Sequence, residues 1–426
     1  MISPTPAMSP LIMTDIQPFC AHTVLSPMAK SVVAPYYDSL SAAERFQFAE
    51  RHSDNYLNAM RSVDEYPLGA APSMDTLMAN NRRTLTRLLT NGSFSPCRAS
   101  ALYIYRQESN DHEQSGLVAA VPLAEYEQGR MLPHEYTRGD REEQLTRYLE
   151  SVRASSSPVC LAYAGQAKIA THLDEVMETE PLLDFVTDDR VRQMVWPVSD
   201  PERITELQHY FSKVGTTYIT DGHHRAAAGA RFAARQIRAG QIVSPDAGWA
   251  QLLALLVPLE DLRLLSHNRY VRHPDRFDQG AFLHALSNVV TVEKIQSEAI
   301  AQAGPRGSGQ FIMLLGGENY RLDIDSTRLP SELVTNLDVS LLQNQILAPL
   351  LNIHDPRTDL RLGFLSGELG LAGLRACCDK DCDVGFVCFP PTVEQLTSVA
   401  DNREVMPPKS TNFVPKARSG LFVRMF

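Results

Sequence analysis

Thr217-Tyr218-Ile219-Thr220-Asp221-Gly222-His223-His224-Arg225-Ala226-Ala227-Ala228-Gly229-Ala230-Arg231-Phe232-Ala233-Ala234-Arg235 is the stretch from which the rest of this chain is read. Its first four residues predict a buried strand. The alanine-rich run from Ala226 predicts a helix. Asp221 to Arg225 therefore fall on a strand-to-helix turn, where unpaired helix N–H groups and the positive end of the dipole favour an anion. Gly222 lets the backbone turn tightly. Two imidazoles and a guanidinium can add charge-assisted hydrogen bonds to phosphate. The turn reads as a phosphate-handling site. A structural reading stands beside it: Asp221 as a helix cap, Asp-Gly as turn punctuation, and one histidine serving the packing.

The surrounding composition narrows the classes. The chain has 426 residues, 44% of them apolar and 21% charged, which suits a soluble globular protein of two or three domains, or one large one. Net charge is −10, and there is no Lys/Arg block, so nucleic acid is not expected as a partner. Arg231, Arg235 and Arg238 share a helical face and read as solvated surface. No apolar run reaches the ~18 residues of a membrane span, and Met1 to Met13 lack the basic start of a secretory signal. A cytoplasmic protein is expected, with no membrane partner. Seven scattered cysteines agree. Cys377, Cys378 and Cys382 lie in what reads as an acidic loop, without the fourth ligand or paired spacing of a zinc site.

Strand and helix signals alternate, which predicts a mixed α/β layer architecture. Residues 1–14 read as a disordered tail. Ser41-Ala42-Ala43-Glu44 is a capping box, predicting a helix to about Ser62. Further helices are expected over Met74–Leu89, Asp140–Arg153 and, with Asp200 as cap and Pro201 at the first position, to Phe211. Strands are expected over Ser100–Arg106, Gly116–Leu123, Val159–Tyr163 and Leu252–Val257. The N-terminal α/β region spans 15–272. A C-terminal α/β lobe, 273–426, has helices near 278–288 and 331–350 and strands near 311–316, 319–324 and 384–389. Gly304 to Gly309 lacks the Gly-Lys-Ser ending of a P-loop and reads as a turn.

Beyond the turn, several landmarks repeat a known pattern: Ile16-Gln17-Pro18-Phe19, Val33-Ala34-Pro35-Tyr36-Tyr37-Asp38, Leu132-Pro133-His134-Glu135-Tyr136-Thr137, His354-Asp355-Pro356-Arg357 and Val405-Met406-Pro407-Pro408-Lys409-Ser410-Thr411-Asn412-Phe413. With Asp-Gly-His-His-Arg they resemble domain-of-unknown-function family 1015, from about residue 15 to the C-terminus. Three positions depart from that family: Tyr36 stands where a second proline is usual, His267-Asn268-Arg269 replaces Thr-His-Arg, and Ala226 replaces a tyrosine. The signature is in turn similar to that of the ParB and sulfiredoxin superfamily, some of whose members phosphorylate free serine. That resemblance implies a ParB/sulfiredoxin-like strand-turn-helix core. It also implies ATP or ADP with Mg²⁺, the phosphates held by Gly222, His223, His224 and Arg225, and Asp221 both catalytic and facing the metal.

Other candidates follow from residue chemistry. His134-Glu135 pairs an imidazole with a carboxylate on a loop, and Glu135 is the expected base, because a carboxylate near phosphate-neutralising cations stays ionised. The loop reads equally as a plain approach to a helix. Lys409, Ser410 and Thr411 set an ammonium beside two hydroxyls, which suits a phosphate tail or a polar loop returning to a final strand near 420–423. Tyr36-Tyr37-Asp38 reads as a strand-end turn or, alternatively, as a carboxylate and an aromatic wall for a base, and Arg357 and Arg361 read as ion pairs with Asp355 and Asp359. There is no Gly-x-Ser-x-Gly elbow, His-Glu-x-x-His or early Gly-x-Gly-x-x-Gly. The expected function is nucleotide-dependent phosphoryl transfer to a small hydroxylated metabolite such as free serine. The alternative is a non-catalytic sensor of nucleotide or metabolite. The sequence sets no oligomeric state.

Overall fold

Apolar residues on alternate sides of long strands build an eight-stranded sheet with both faces covered. Its order is Met131–Leu132, Thr217–Asp221, Val159–Tyr163, Gln251–Pro258, Glu113–Pro122, Leu102–Glu108, Arg192–Val198 and Leu183–Val186. In this computed structural model the described residues are 14–109, 112–244, 247–272, 277–325, 327 and 329–426, with the side chains of Asp38, Ile300 and Asp381 outside the description. The fold is mixed α/β. Tyr103, Tyr105, Val118, Ala120, Leu253 and Leu255 enter one core, and Ile104, Leu117, Ala119, Leu252, Ala254 and Leu256 enter the other. This two-sided burial explains why Leu252 to Val257 is continuously apolar, since a strand covered on both faces has no polar side to show.

Two units divide the chain. The first takes the described residues up to Pro133, then Thr137–Leu262, and finally Pro415–Phe426; the second takes His134–Tyr136 and Arg263–Val414. The division thus falls ten residues before the expected 272/273 boundary, and the C-terminal segment returns to the first unit. Strand pairing is the reason. In the second unit Arg263–Leu265 pairs with Asn412–Val414, and His267–Val271 lies between Leu362–Ser366 and Val384–Cys388. In the first, Phe422–Met425 pairs with His22–Thr23 and Ala154–Ser155, and the Phe422 ring packs on Phe19 and Tyr103. The second unit's main sheet is antiparallel throughout, ordered Thr291–Ile295, Glu318–Asp323, Gln310–Leu315, Val384–Cys388, His267–Val271, Leu362–Ser366.

Several expectations change. The Ser41 capping box forms with both reciprocal bonds, but its helix ends at Arg51 rather than Ser62. Asn55 then accepts the Leu57 N–H and starts a separate short turn, the competition with helical hydrogen bonding that asparagine favours. Thr14, expected in the tail, is buried, and its N–H donates to the Val214 carbonyl at 3.0 Å; residues 1–13 lie outside the described residues. Cys377 and Cys378 stand on a helix, Gly370–Asp381, not in a loop, because Leu371 and Leu374 give it a buried stripe. The helix expected over 331–350 begins at Asp338, whose carboxylate accepts the Gly309 N–H and the Ser308 hydroxyl and so ties down the glycine-rich turn. Cys20 and Cys97 are joined in a disulfide, Cα–Cα 5.6 Å. This removes the cysteine argument for a reducing compartment. Among the described residues no helix is long and apolar enough to cross a membrane.

Candidate functional site

The motif strand, Thr217–Asp221, and the motif helix, His223–Arg238, meet at Gly222 as the sequence predicts. A register shift opposite Cys160 and Leu161 bulges the strand at its last residues, a device that re-aims side chains at a strand end. Asp221 is therefore the last strand residue and does not cap the helix. Gly222 takes the cap position at φ 95, and among the described residues no side chain caps the helix there. That φ is open to glycine and strained for other residues. A second constraint acts at the same place: a Cβ on Gly222 would come within 2.9 Å of the Arg225 guanidinium, which folds back over the turn.

Asp221 is held by two cations. Its Oδ1 lies 3.1 Å from Lys416 Nζ, and its Oδ2 accepts from Arg225 Nη2. Arg225 Nη1 also donates to the Pro158 carbonyl at 2.6 Å. Burial alone would raise the Asp221 carboxyl, but Lys416, Arg225 and, more weakly, His223 overcome it and bring it down from 3.8 to about 2. Asp221 is thus ionised at any physiological pH and a poor base. It also does not fit a metal ligand in this arrangement, since both oxygens already meet cations. Among the described residues no group of three His, Cys, Asp or Glu side chains could hold a metal ion.

The two histidines differ. His223 is buried at the start of the helix. His224 Nε2 accepts the backbone N–H of Arg138 at 3.0 Å, so its neutral ring carries the proton on Nδ1. Burial, then the nearby Arg141 guanidinium, lowers its pKa. Arg138 is the cap residue of the helix Gly139–Val152. That helix runs parallel to the motif helix: Arg138 meets His224, Thr146 Oγ1 donates to the Ala228 carbonyl, and Glu150 meets Arg235. Two positive dipole ends therefore lie side by side. Arg231 and Arg235, read from sequence as solvated surface, bind Glu142, Glu143 and Glu150 across this pair.

The Tyr36-Tyr37 turn completes the cluster in the first unit. Lys416 Nζ sits 4.5 Å over the Tyr36 ring. Tyr37 lies against Arg45 and Arg141, and its hydroxyl donates to the buried Glu65. Sequence reasoning singled out both Tyr36 and Lys416 but did not place either beside Asp221. Lys416 lies almost two hundred residues from Asp221, and the only local signal was its place in a polar C-terminal segment. Two buried groups fix that segment: Arg418 pairs with Asp189, and Gln107 donates to the Lys416 carbonyl at 3.0 Å.

The remaining candidates belong to the second unit. His134 Nε2 lies 3.0 Å from Thr411 Oγ1, and that hydroxyl lies 3.5 Å from Glu135 Oε1. The Thr411 hydroxyl can accept from the imidazole and donate to the carboxylate, which orients Glu135. The Met406 N–H donates to the His134 carbonyl, and Ser410 Oγ donates to the Pro407 carbonyl rather than facing outward. Lys409 is exposed and holds φ 58, a conformation that non-glycine residues rarely adopt. Arg269 explains it. This buried guanidinium donates to the carbonyls of Lys409 and His267. The departing triplet His267-Asn268-Arg269 is therefore a strand that anchors the Lys409 loop, and Asn268 Oδ1 accepts the Cys388 N–H at 3.3 Å. Arg357 and Arg361 pair with Asp355 and Asp359, as expected.

Residues 16–340 match the family described as protein of unknown function (DUF1015), and the chain belongs to that family. No curated protein matches it. Among solved structures, a free serine kinase in complex with AMP is similar at 15% identity and TM-score 0.34, over 70% of this chain and 87% of that one. SbnI with a C-terminal truncation, from Staphylococcus aureus, is 12% identical at TM-score 0.37, over 71% and 85%. A conserved hypothetical protein from Pyrococcus furiosus is 15% identical at TM-score 0.33, over 71% and 93%. Likenesses at this level carry no argument about activity.

Proposed function

We propose that this protein transfers a phosphoryl group from a nucleotide, ATP or ADP, to a small hydroxylated metabolite, with free serine the first acceptor to try. One observation carries the reading: a helix N-terminus at Gly222 with no side-chain cap among the described residues, a second parallel dipole beside it and two cations sharing one carboxylate. The amides of the first helical turn and the two cations beside them suit a polyphosphate tail. Catalysis of this kind is mostly positioning and charge neutralisation. Gly222, His223, His224 and Arg225 form the phosphate turn in this reading. Asp221 orders its cations. Glu135, oriented by Thr411 and His134, is the base that takes the acceptor proton.

The test is incubation of the purified chain with ATP or ADP and serine, followed by detection of phosphoserine. Turnover is expected, and Glu135→Ala should abolish it while sparing nucleotide binding. No product across a panel of hydroxy-amino acids sinks the enzyme reading. A sensing role is the second reading, favoured by one fact: Asp221, the carboxylate at the turn, is tied to two cations and cannot serve as a base. Saturable nucleotide binding without product, measured by calorimetry, would establish it.

A further inference from the structure

We propose that Cys378 and Cys382 are a dithiol modification site, which a low-molecular-weight disulfide oxidises to an internal disulfide. Both residues belong to the second unit, and nothing in the reading of the Gly222 turn depends on them. The free cysteines among the described residues are of two kinds. Cys160 and Cys388 are buried in the sheets, and burial pushes their thiols up to about 12 and about 11, which leaves them inert. Cys377, Cys378 and Cys382 are only partly buried and gather at the end of one helix.

The helix Gly370–Asp381 carries Cys378 in its last turn and releases the chain at Cys382, whose φ of −136 and ψ of 152 are extended. Four residues along a helix set two Cα atoms ~6 Å apart, inside the range a disulfide spans. A strand fixes the exit. The Asp383 N–H donates to the Val271 carbonyl at 2.9 Å, and Val384–Cys388 then pairs with His267–Val271. Across the helix end the Cys378 and Cys382 sulfurs meet in a hydrogen bond. That bond first, and burial second, hold the Cys382 thiol above its ordinary range, so Cys382 keeps its proton and donates it to the Cys378 sulfur. At Cys382 the Arg272 guanidinium offsets part of the Asp383 charge, and it acts on Cys377 as well. The exchange then balances. Cys378 Sγ attacks one sulfur of the small disulfide, and its proton leaves with the first small thiol. Cys382 Sγ attacks the Cys378 sulfur of the mixed disulfide, and its proton leaves with the second. Two protein thiols are oxidised and one small disulfide is reduced to two thiols.

The experiment incubates the full chain, its Cys20–Cys97 bond intact, with glutathione disulfide, alkylates the remaining thiols and maps tryptic peptides by mass spectrometry. Trypsin cuts after Arg375 and Lys380, so Cys378 and Cys382 leave on separate peptides unless they are joined. Wild type should give the joined pair, with Cys160 and Cys388 alkylated only after denaturation. Cys377→Ser should give the same link in equal yield. Cys382→Ser should stop at a glutathione adduct on Cys378, and Cys378→Ser should lose the link. Thermal melts show which variants remain folded, and the wild-type peptides decide the matter without any variant. A wild-type chain that yields no link, whether unreacted or carrying glutathione adducts, overturns the proposal. So does a link that survives Cys378→Ser and vanishes in Cys377→Ser.

Discussion

Asp221→Asn tests the electrostatics of the turn most directly. The substitution keeps the shape and removes the charge that holds Lys416 and Arg225. A carboxyl brought from 3.8 to about 2 contributes roughly 2 kcal/mol to stability at neutral pH, at about 1.4 kcal/mol per pH unit of displacement. The side chain is 21% exposed, so water screening trims this value only modestly. The sign follows from a folded pKa below the unfolded one. The contribution is complete above the unfolded value of 3.8 and disappears as pH falls through about 2. Urea denaturation at a series of pH values is the assay. Wild type should exceed Asp221→Asn by roughly 2 kcal/mol at pH 7, and the two should converge below about pH 2. A difference under ~0.5 kcal/mol at pH 7, the range of an ordinary surface substitution, would refute the reasoning. So would a difference that stays constant as the pH is lowered.

Gly222→Ala adds a left-handed backbone penalty to the 2.9 Å approach of the Arg225 guanidinium, so a loss of ~1–3 kcal/mol is expected in the same denaturation assay, together with loss of ADP binding. His224, neutral with its proton on Nδ1, should titrate below the ordinary 6.5 when followed by NMR of labelled histidine; because its folded pKa is lowered, stability falls as the pH drops below 6.5, and a normal titration would contradict the Arg138 contact. Cys97→Ser opens a link between residues 77 apart in sequence and should cost up to roughly 4 kcal/mol, read as a lower denaturation midpoint matched by reduced wild type.

The strand, the turn and the helix around Gly222 were legible in the sequence because their causes are local. The β-rich run, the one glycine able to take φ 95 and the alanine run each act over a few residues. So were the Asp200 cap and the paired strands Leu102–Glu108 and Glu113–Pro122. Periodicity could not show what depends on distant partners. It gave Arg231 and Arg235 as solvent-facing, although they bind three glutamates of a parallel helix. It placed the start of the second unit too late, because the strand at Arg263 exists only by pairing with Asn412–Val414.

From sequence alone came a strand-turn-helix with anion chemistry, an acidic mixed α/β chain and the family to which it belongs. Tertiary structure decided the rest: that Asp221 binds cations instead of capping the helix, that Arg225 closes the turn, that His224 is fixed as an acceptor, and that Lys416 and Tyr36 join the cluster. The reason is range. Backbone conformation answers to near neighbours in the chain. A charge a few ångströms away comes from wherever the sheet returns the chain, and no local pattern of residues records that return.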